Sequence, residues 1–313
     1  MRVVFLGTPM FAVPALRMLL KHAYNICGVF TQPDRPAGRG QKLRAGPVKT
    51  VAMEHGIPVF QPARIRNDEN RPIFEDLQPD FIVVVAYGQI LPGWLLQAAR
   101  IAPINIHGSL LPRYRGAAPI TWAIINGESS TGVTTMLMQE ELDSGPILMQ
   151  KEVPIPTDKT AGELTEELSV VGAELLVETL EAMQKGAVRP IAQDAAKVSW
   201  APIIKKEMSR ISWQKQASEI HNQVRGLNPW PVATANYRGE PIRIWRSNLF
   251  SDLDDSATMP GTLLGHTEKG IFIKCGEGTV LEILEVQLPA KAKIFGREFV
   301  NGARLHQGDI IFQ

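Results

Sequence analysis

The chain has 313 residues, 44% of them apolar, with 33 Lys+Arg against 32 Asp+Glu and a net charge of +1. That is enough apolar material for two cores; it excludes a chain disordered throughout and one that coats nucleic acid by bulk charge. Two cysteines, Cys27 and Cys275, are too few for a disulfide framework or a cysteine-rich zinc site. The apolar run at the start ends at Gly7, too short for a secretory signal, and no run approaches the ~18 residues of a membrane span. The expectation is a soluble, reduced, cytoplasmic protein.

In chain order, Val3 to Leu6 reads as a strand; Gly7 turns the chain, Thr8 caps and Pro9 opens a helix to about Lys21. Tyr24 to Thr31 is a second strand. A polar loop rich in Gly and Pro follows, Gln32 to Gly46, before Pro47 opens a helix. Ile57 to Phe60 is a short strand and Asp68 to Leu77 a helix. Phe81 to Ala86 is apolar without alternation, as in a strand covered on both faces. Pro103 to Ile106 is another strand, Pro119 begins a helix, and Gly132 to Gln139 and Ile147 to Ile155 are strands. Thr160-Ala161-Gly162-Glu163 matches a capping box ahead of Leu164, Leu168, Val171 and Leu175 at helical spacing. Val188 to Lys206 lacks periodicity and reads as a linker. From Val232 onward, strand-sized pieces alternate with turns such as Tyr237-Arg238-Gly239-Glu240, the pattern of a small β-barrel. The fold class is therefore α/β: a doubly wound, Rossmann-like first domain followed by a small C-terminal β-barrel, OB-like.

Several chemistries lack their motifs. The first βα turn, Gly7-Thr8-Pro9-Met10-Phe11-Ala12, is not G-x-G-x-x-G. There is no Walker A sequence, no G-x-S-x-G and no H-E-x-x-H, and the six His have no ligand-like spacing, so no metal is expected. What remains is Asn105-Ile106-His107-Gly108-Ser109-Leu110-Leu111-Pro112, where a buried strand leaves the sheet. Residues i and i+2 share a face, so Asn105 and His107 project together at the strand's carboxyl end, where open α/β sheets bind ligands. An amide donor beside an imidazole suits a reaction that develops negative charge on a carbonyl oxygen. Asp143, on the loop Glu140 to Pro146, offers a carboxylate that would fix the His107 tautomer. Taken singly, an Asn-x-His on a strand and an Asp before Ser-Gly are more often structural, and spacing alone leaves both readings open.

The run Asn105 to Pro112, then Arg113-Tyr114-Arg115-Gly116-Ala117-Ala118-Pro119-Ile120, then Leu142-Asp143-Ser144-Gly145, resembles the folate-dependent formyltransferases. The resemblance takes in the start, Val4 to Pro9, and Val224 to Pro231, and so covers essentially the whole chain. It implies formyl transfer from 10-formyltetrahydrofolate to the α-amine of methionine on initiator tRNA. The amine attacks the formyl carbon, and the Asn105 amide and a protonated His107 stabilise the resulting oxyanion. Asp143 orients His107 and helps the amine proton leave. It implies folate contacts from Gln89, Ile90 and Leu91, from Ser109, Leu110, Leu111 and Pro112, and from Glu140, Glu141 and Leu142.

The first 50 residues hold eight basic residues and one acid. Five of the eight, Arg35, Arg39, Lys42, Arg44 and Lys49, lie in the stretch 34–49, read as a mobile loop. The resemblance suggests that this loop meets the tRNA acceptor arm. The expected organisation is a catalytic domain over 1–189, a linker over 190–206 and a tRNA-holding barrel over 207–313, in a cytoplasmic monomer without a membrane partner. Related readings are a formyltransferase acting on an amino sugar nucleotide, a 10-formyltetrahydrofolate hydrolase, a glycinamide ribonucleotide formyltransferase and an inactive folate- or tRNA-binding module.

Overall fold

A computed structural model describes residues 1–37, 42–250 and 258–312. The chain divides into two compact units. The first comprises Met1–Pro119, Thr131–Val153 and Thr165–Ala201; the second comprises Ile120–Ser130, Pro154–Leu164 and Pro202–Gln313.

The first unit alternates strands and helices: β1 (Arg2–Gly7), α1 (Val13–Lys21), β2 (Asn25–Phe30), β3 (Arg35–Ala37), β4 (Lys42–Arg44), α2 (Pro47–Glu54), β5 (Val59–Phe60), α3 (Arg71–Leu77), β6 (Phe81–Val85), α4 (Gly93–Leu96) and β7 (Ala102–His107). After α5 (Pro119–Ile125) come β8 (Ser130–Leu137), β9 (Ile147–Pro154) and the long α6 (Ala161–Gln184). Seven strands form one sheet in the order β5-β2-β1-β6-β7-β8-β9. The pairs from β5 to β7 are parallel, and β8 runs antiparallel to β7. All five residues of β6 are buried, as its unbroken apolar run requires of a strand with both faces covered. The chain order reverses between β1 and β6, and β7 lies beside β6 with its carboxyl end on the same side. That edge is where side chains can reach a ligand without breaking the apolar layers.

Two local expectations are replaced by tertiary contacts. Thr8 does not cap a helix. Its hydroxyl donates to the Tyr87 carbonyl at 3.2 Å and accepts the Gln32 N–H at 3.3 Å, tying together the ends of three strands, and a 3₁₀ turn over Met10–Ala12 precedes α1. The basic stretch is not a structureless loop throughout: β3 and β4 pair as an antiparallel hairpin, with Arg35 opposite Arg44.

The second unit contains α7 (Ala217–Gly226), β10 (Ala233–Tyr237), β11 (Glu240–Phe250), β12 (Leu263–His266), β13 (Ile271–Lys274), β14 (Val280–Gln287), β15 (Lys293–Phe295) and α8 (Gly296–Ala303). The strands pair in the order β10-β11-β14-β13-β12, with β15 also on β14, so among the described residues the pairing path is an all-β sheet open at β10 and β12. Arg238 and Gly239 both have positive φ in the two-residue turn between β10 and β11. This is the primed hairpin geometry that the Arg-Gly pair announced. The expected capping box is present: the Thr160 N–H and hydroxyl both donate to the Glu163 carboxylate at 2.8 Å, and Glu163 N–H donates to the Thr160 hydroxyl at 3.3 Å. Those bonds and Arg246 pull the Glu163 pKa down to about 2.

His221, on α7, is buried. Its Nε2 donates to the Thr157 carbonyl at 2.7 Å, which leaves Nδ1 to accept from Ser247 Oγ at 2.9 Å. Burial lowers its pKa from the ordinary 6.5, outweighing the Thr157 hydrogen bond. The unfolded chain therefore takes up this proton more readily than the folded one. The group stabilises the fold above about pH 6.5, and that contribution is lost as pH falls toward the lowered folded value. The unfolding free energy is expected to drop more steeply as pH falls below about 6.5 in the wild type than in His221→Gln. Urea melts across that range measure it, and equal slopes would exclude the effect.

Candidate active site

Asn105 and His107 are the polar residues at the end of β7, 9% and 6% exposed. They pair across to Met136 and Thr134 on β8, which hold the strand rigid up to its last residue. Among the described residues the Asn105 amide makes no hydrogen bond, so its donors are available to a ligand. His107 Nε2 donates to the Tyr114 carbonyl at 2.9 Å. Its Nδ1 faces Asp143 Oδ2 at 3.6 Å, too long for a direct hydrogen bond but close enough for attraction. Both ring nitrogens thus face oxygen atoms, one hydrogen-bonded and one at a longer distance.

Asp143 is itself held. Its Oδ2 accepts the Gly116 N–H at 2.8 Å, and its side chain is 11% exposed. Gly116 has φ +121° and lies against the Ala201 carbonyl, where a Cβ would come within 2.7 Å. Behind Asp143, Gly145 approaches the Leu137 carbonyl so closely that a Cβ would overlap it. The Leu142-Asp143-Ser144-Gly145 motif therefore needs glycine to let its turn lie on β8.

The segment Ser109 to Pro112 is locked from below. Thr134 Oγ1 donates to the Ser109 carbonyl at 2.6 Å and accepts from Leu111 N–H at 3.1 Å and Gln150 Nε2 at 2.9 Å. The same Gln150 amide donates to the Leu111 carbonyl at 2.9 Å. Ser109 is fully buried and donates to the Arg113 carbonyl, Leu111 packs with Met136 and Ile147, and Leu110 and Pro112 are half-buried. Gln89 uses its side chain to brace another loop: Ile65 N–H donates to its Oε1 at 2.7 Å, and its Nε2 reaches the Pro62 carbonyl at 3.3 Å. Ile90 is 80% exposed, whereas Leu91 is in the core with Leu95 and Tyr87. Glu140 sits over Gly93, where a Cβ would meet its carboxylate within 2.5 Å, so the 89–93 and 140–143 segments are brought together. Glu141 lies 3.7 Å from Arg115, and Leu142 is exposed.

The basic residues are not all alike. Arg35 and Arg44 are exposed and directly opposite on the hairpin; Lys42 is on the same strand as Arg44; Arg39 falls outside the described residues. Lys49 is on α2, and its ammonium donates to Asp34 at 2.6 Å and Gln61 at 2.7 Å; that Lys49 bond and one from Gln61 Nε2 at 2.8 Å hold the Asp34 pKa below the ordinary carboxylate value. Residues that sequence reasoning missed are Thr134, Gly116 as a donor to Asp143, and Gln193, which lies in the stretch read as a linker. Gln193 had no local signal, because nothing in 190–206 repeats with a structural period. Residues 190–201 lie in the first unit, with Ile191 bonded to Ile147 and Arg115 to Ser199 and Ala201.

Residues 1–180 match the family model for formyl transferases, and residues 203–304 match the model for the formyl transferase C-terminal domain. The chain belongs to the formyl transferase family. It is 48% identical to a methionyl-tRNA formyltransferase of Clostridium novyi, covering 96% of this chain and 97% of that one. It is 47% identical to another of that name from Trichlorobacter lovleyi, covering 99% and 96%. Among solved structures, an N-formyltransferase from Helicobacter canadensis, in complex with folinic acid and dTDP-3-aminofucose, superposes with TM-score 0.67 at 19% identity, over 90% of this chain and 98% of that one. HypX from Aquifex aeolicus, in complex with tetrahydrofolic acid, superposes with TM-score 0.65 at 17% identity, over 96% of this chain, which spans 47% of HypX. These two likenesses concern the fold.

Among the described residues no group of three or more His, Cys, Asp or Glu side chains is placed to hold a metal ion, and no helix is long and apolar enough to cross a membrane.

Thr134→Val keeps the shape but leaves the Leu111 N–H and the Ser109 carbonyl without their partner. The expected loss is ~2 kcal/mol of unfolding free energy, measured by urea denaturation. A loss within experimental error would show that the segment is held by packing alone.

Proposed function

We propose that this chain transfers the formyl group of 10-formyltetrahydrofolate to the α-amine of methionyl initiator tRNA, with Asn105, His107 and Asp143 as the catalytic residues. The observation that carries the reading is the unpartnered Asn105 amide beside His107, itself faced by Asp143, on a chain of the formyl transferase family. The chain's own residues suit a folate here: a buried amide without a hydrogen-bond partner stands at the end of β7, and the 89–93 and 140–143 segments come together. Gln89, Ile90 and Leu91, Ser109 to Pro112, and Glu140 to Leu142 would hold the folate, chiefly through main-chain groups. The folate supplies the formyl group as substrate: as the amine's bond to the formyl carbon forms, the bond from that carbon to the folate N10 breaks, and N10 leaves carrying a proton in place of the one the amine gives up.

The chain's residues do the rest. Asn105 donates to the formyl oxygen as negative charge develops there, and the His107 ring adds positive charge beside it. Such donors are worth most when they are fixed before the reaction begins, as β7 and the Tyr114 carbonyl fix these. Asp143 holds the His107 ring by charge and, through water, takes the proton that the amine sheds. No covalent nucleophile on the protein is required, because an unprotonated amine is already nucleophilic.

Arg35, Lys42 and Arg44 on the hairpin, Arg39 between them in sequence, and Lys49 on α2 meet the acceptor arm. Like charges opposite one another destabilise a hairpin unless an anion lies between them, and Arg35 opposite Arg44 suits a phosphate. The first unit performs the transfer and the second holds the tRNA, in a cytoplasmic monomer.

Asn105→Ala, His107→Ala and Asp143→Ala are each expected to lower kcat at least ~10-fold, and Asn105→Ala by up to ~10²–10³-fold, with far-ultraviolet circular dichroism unchanged. Wild-type turnover in any of them removes that residue from the mechanism. Reversal of Arg39, Lys42 and Arg44 to Glu is expected to raise the tRNA KM and leave the folate KM unchanged, and an unchanged tRNA KM excludes the hairpin. Supplying formyl donor with methionyl initiator tRNA, an amino sugar nucleotide or water alone identifies the acceptor. Transfer only to the sugar, or to water, would overturn the reading.

A further inference from the structure

Asp143 has φ +50°, in the left-handed region that an L side chain rarely adopts. Within its turn the Ser144 N–H and hydroxyl donate to the Glu141 carbonyl at 3.4 and 3.0 Å, bonds that leave the Asp143 and Gly145 carbonyls to a partner from outside the turn. The main-chain oxygens on both sides of the turn are held by one side chain. Gln193 Nε2 donates one hydrogen to the Asp143 carbonyl and the other to the Gly145 carbonyl, both at 2.8 Å. Its Oε1 accepts from Arg115 Nε at 3.0 Å and Nη2 at 2.8 Å. Gln193 therefore uses both its donors and both lone pairs of its acceptor.

Arg115 is as constrained as the amide it grips. It is 7% exposed, its N–H donates to the Ser199 carbonyl at 2.8 Å, and its carbonyl accepts from Ala201 N–H at 2.7 Å. Its neighbours make the two contacts that define the site: the Tyr114 carbonyl on His107 and the Gly116 N–H on the Asp143 carboxylate. The segment Tyr114-Arg115-Gly116 thus holds His107 by one main-chain group, the Asp143 carboxylate by another, and the Asp143 backbone by the Arg115 side chain through Gln193.

We propose that Gln193, anchored by Arg115, is a positioning residue for Asp143: it holds the Asp143 main chain in the left-handed conformation that keeps the carboxylate on Gly116 and facing His107. This inference rests on the transfer reading of Asp143. A planar amide delivering two hydrogens to two carbonyls fixes the turn in two directions. The Gly116 bond holds the carboxylate and the Ser144–Glu141 bonds close the turn, but neither engages the Asp143 or the Gly145 carbonyl. Displacements of about 1 Å at a reacting group cost up to ~100-fold in rate.

The test is a double-mutant cycle on kcat, with KM for the folate donor and for methionyl-tRNA measured alongside. Gln193→Ala is expected to lower kcat by ~10-fold to ~100-fold with both KM values within about twofold. In the Asp143→Ala background the same substitution is expected to cost nothing further, because the residue it positions is gone. Gln193→Glu keeps the acceptor for Arg115 and turns an oxygen toward the two carbonyls. It is expected to lose as much kcat as Gln193→Ala while retaining the wild-type melting temperature, and it decides the matter if the alanine variant fails to fold. Wild-type kcat in Gln193→Glu, or an equal fold-loss from Gln193→Ala with and without Asp143, would overturn the proposal. Wild-type kcat in Asp143→Ala alone would instead overturn the transfer reading.

Discussion

Everything at the site depends on keeping a buried imidazole and a buried carboxylate face to face without letting them collapse into a closed pair. His107 Nδ1 and Asp143 Oδ2 stand 3.6 Å apart, each already committed elsewhere: the ring through Nε2 to the Tyr114 carbonyl, the carboxylate to the Gly116 N–H. Two residues apart in sequence, Tyr114 and Gly116 present a carbonyl and an N–H toward one pocket. That is possible because both have positive φ, 61° and 121°. The loop from Arg113 to Ala118 is in turn bonded to Ser199 and Ala201.

The surrounding fold is organised to make that pair rigid. A strand buried on both faces can carry polar residues only at its end, and β7 does so with Asn105 and His107. Thr134, directly opposite His107, donates to Ser109 and accepts from Leu111 on the chain that follows β7, and accepts from Gln150 on β9, so the strand end, the loop leaving it and β9 are tied together. Gln89, Gln150 and Gln193 play comparable parts: each is an amide that satisfies main-chain groups of a loop that no helix or strand would satisfy. Asn105, by contrast, is buried at the end of β7 with its amide unpartnered among the described residues.

Much of the architecture was legible in local patterns. The unbroken apolar run of β6, the capping box at Thr160 and Glu163, the Arg-Gly turn between β10 and β11 and the pairing of Asn105 with His107 all rest on interactions within a few residues. The errors were equally physical. Thr8 has a capping residue's chemistry, yet its hydroxyl serves Tyr87 and Gln32, because joining three strand ends satisfies more buried groups than one helix turn does. The basic stretch looked structureless because its composition is turn-like, but Arg35 to Ala37 and Lys42 to Arg44 pair across it. Lys49 counts with the basic residues in sequence and is tied to Asp34 and Gln61 in space.

The sequence by itself determined the two-part organisation, the α/β character of the first part and the polar residue types at the end of β7, because periodicity, caps and turns are set by neighbours along the chain. It also carried the family, through motifs contiguous enough to read directly. Only the tertiary structure decided which groups hold those residues. Gln193 is 50 residues from the Asp143 carbonyl it grips and 78 from the Arg115 that anchors it. A single glutamine in an aperiodic stretch has no pattern by which to announce such partners. Hydrogen bonds between distant loops depend on the path of the whole chain, and nothing in the local sequence encodes that path.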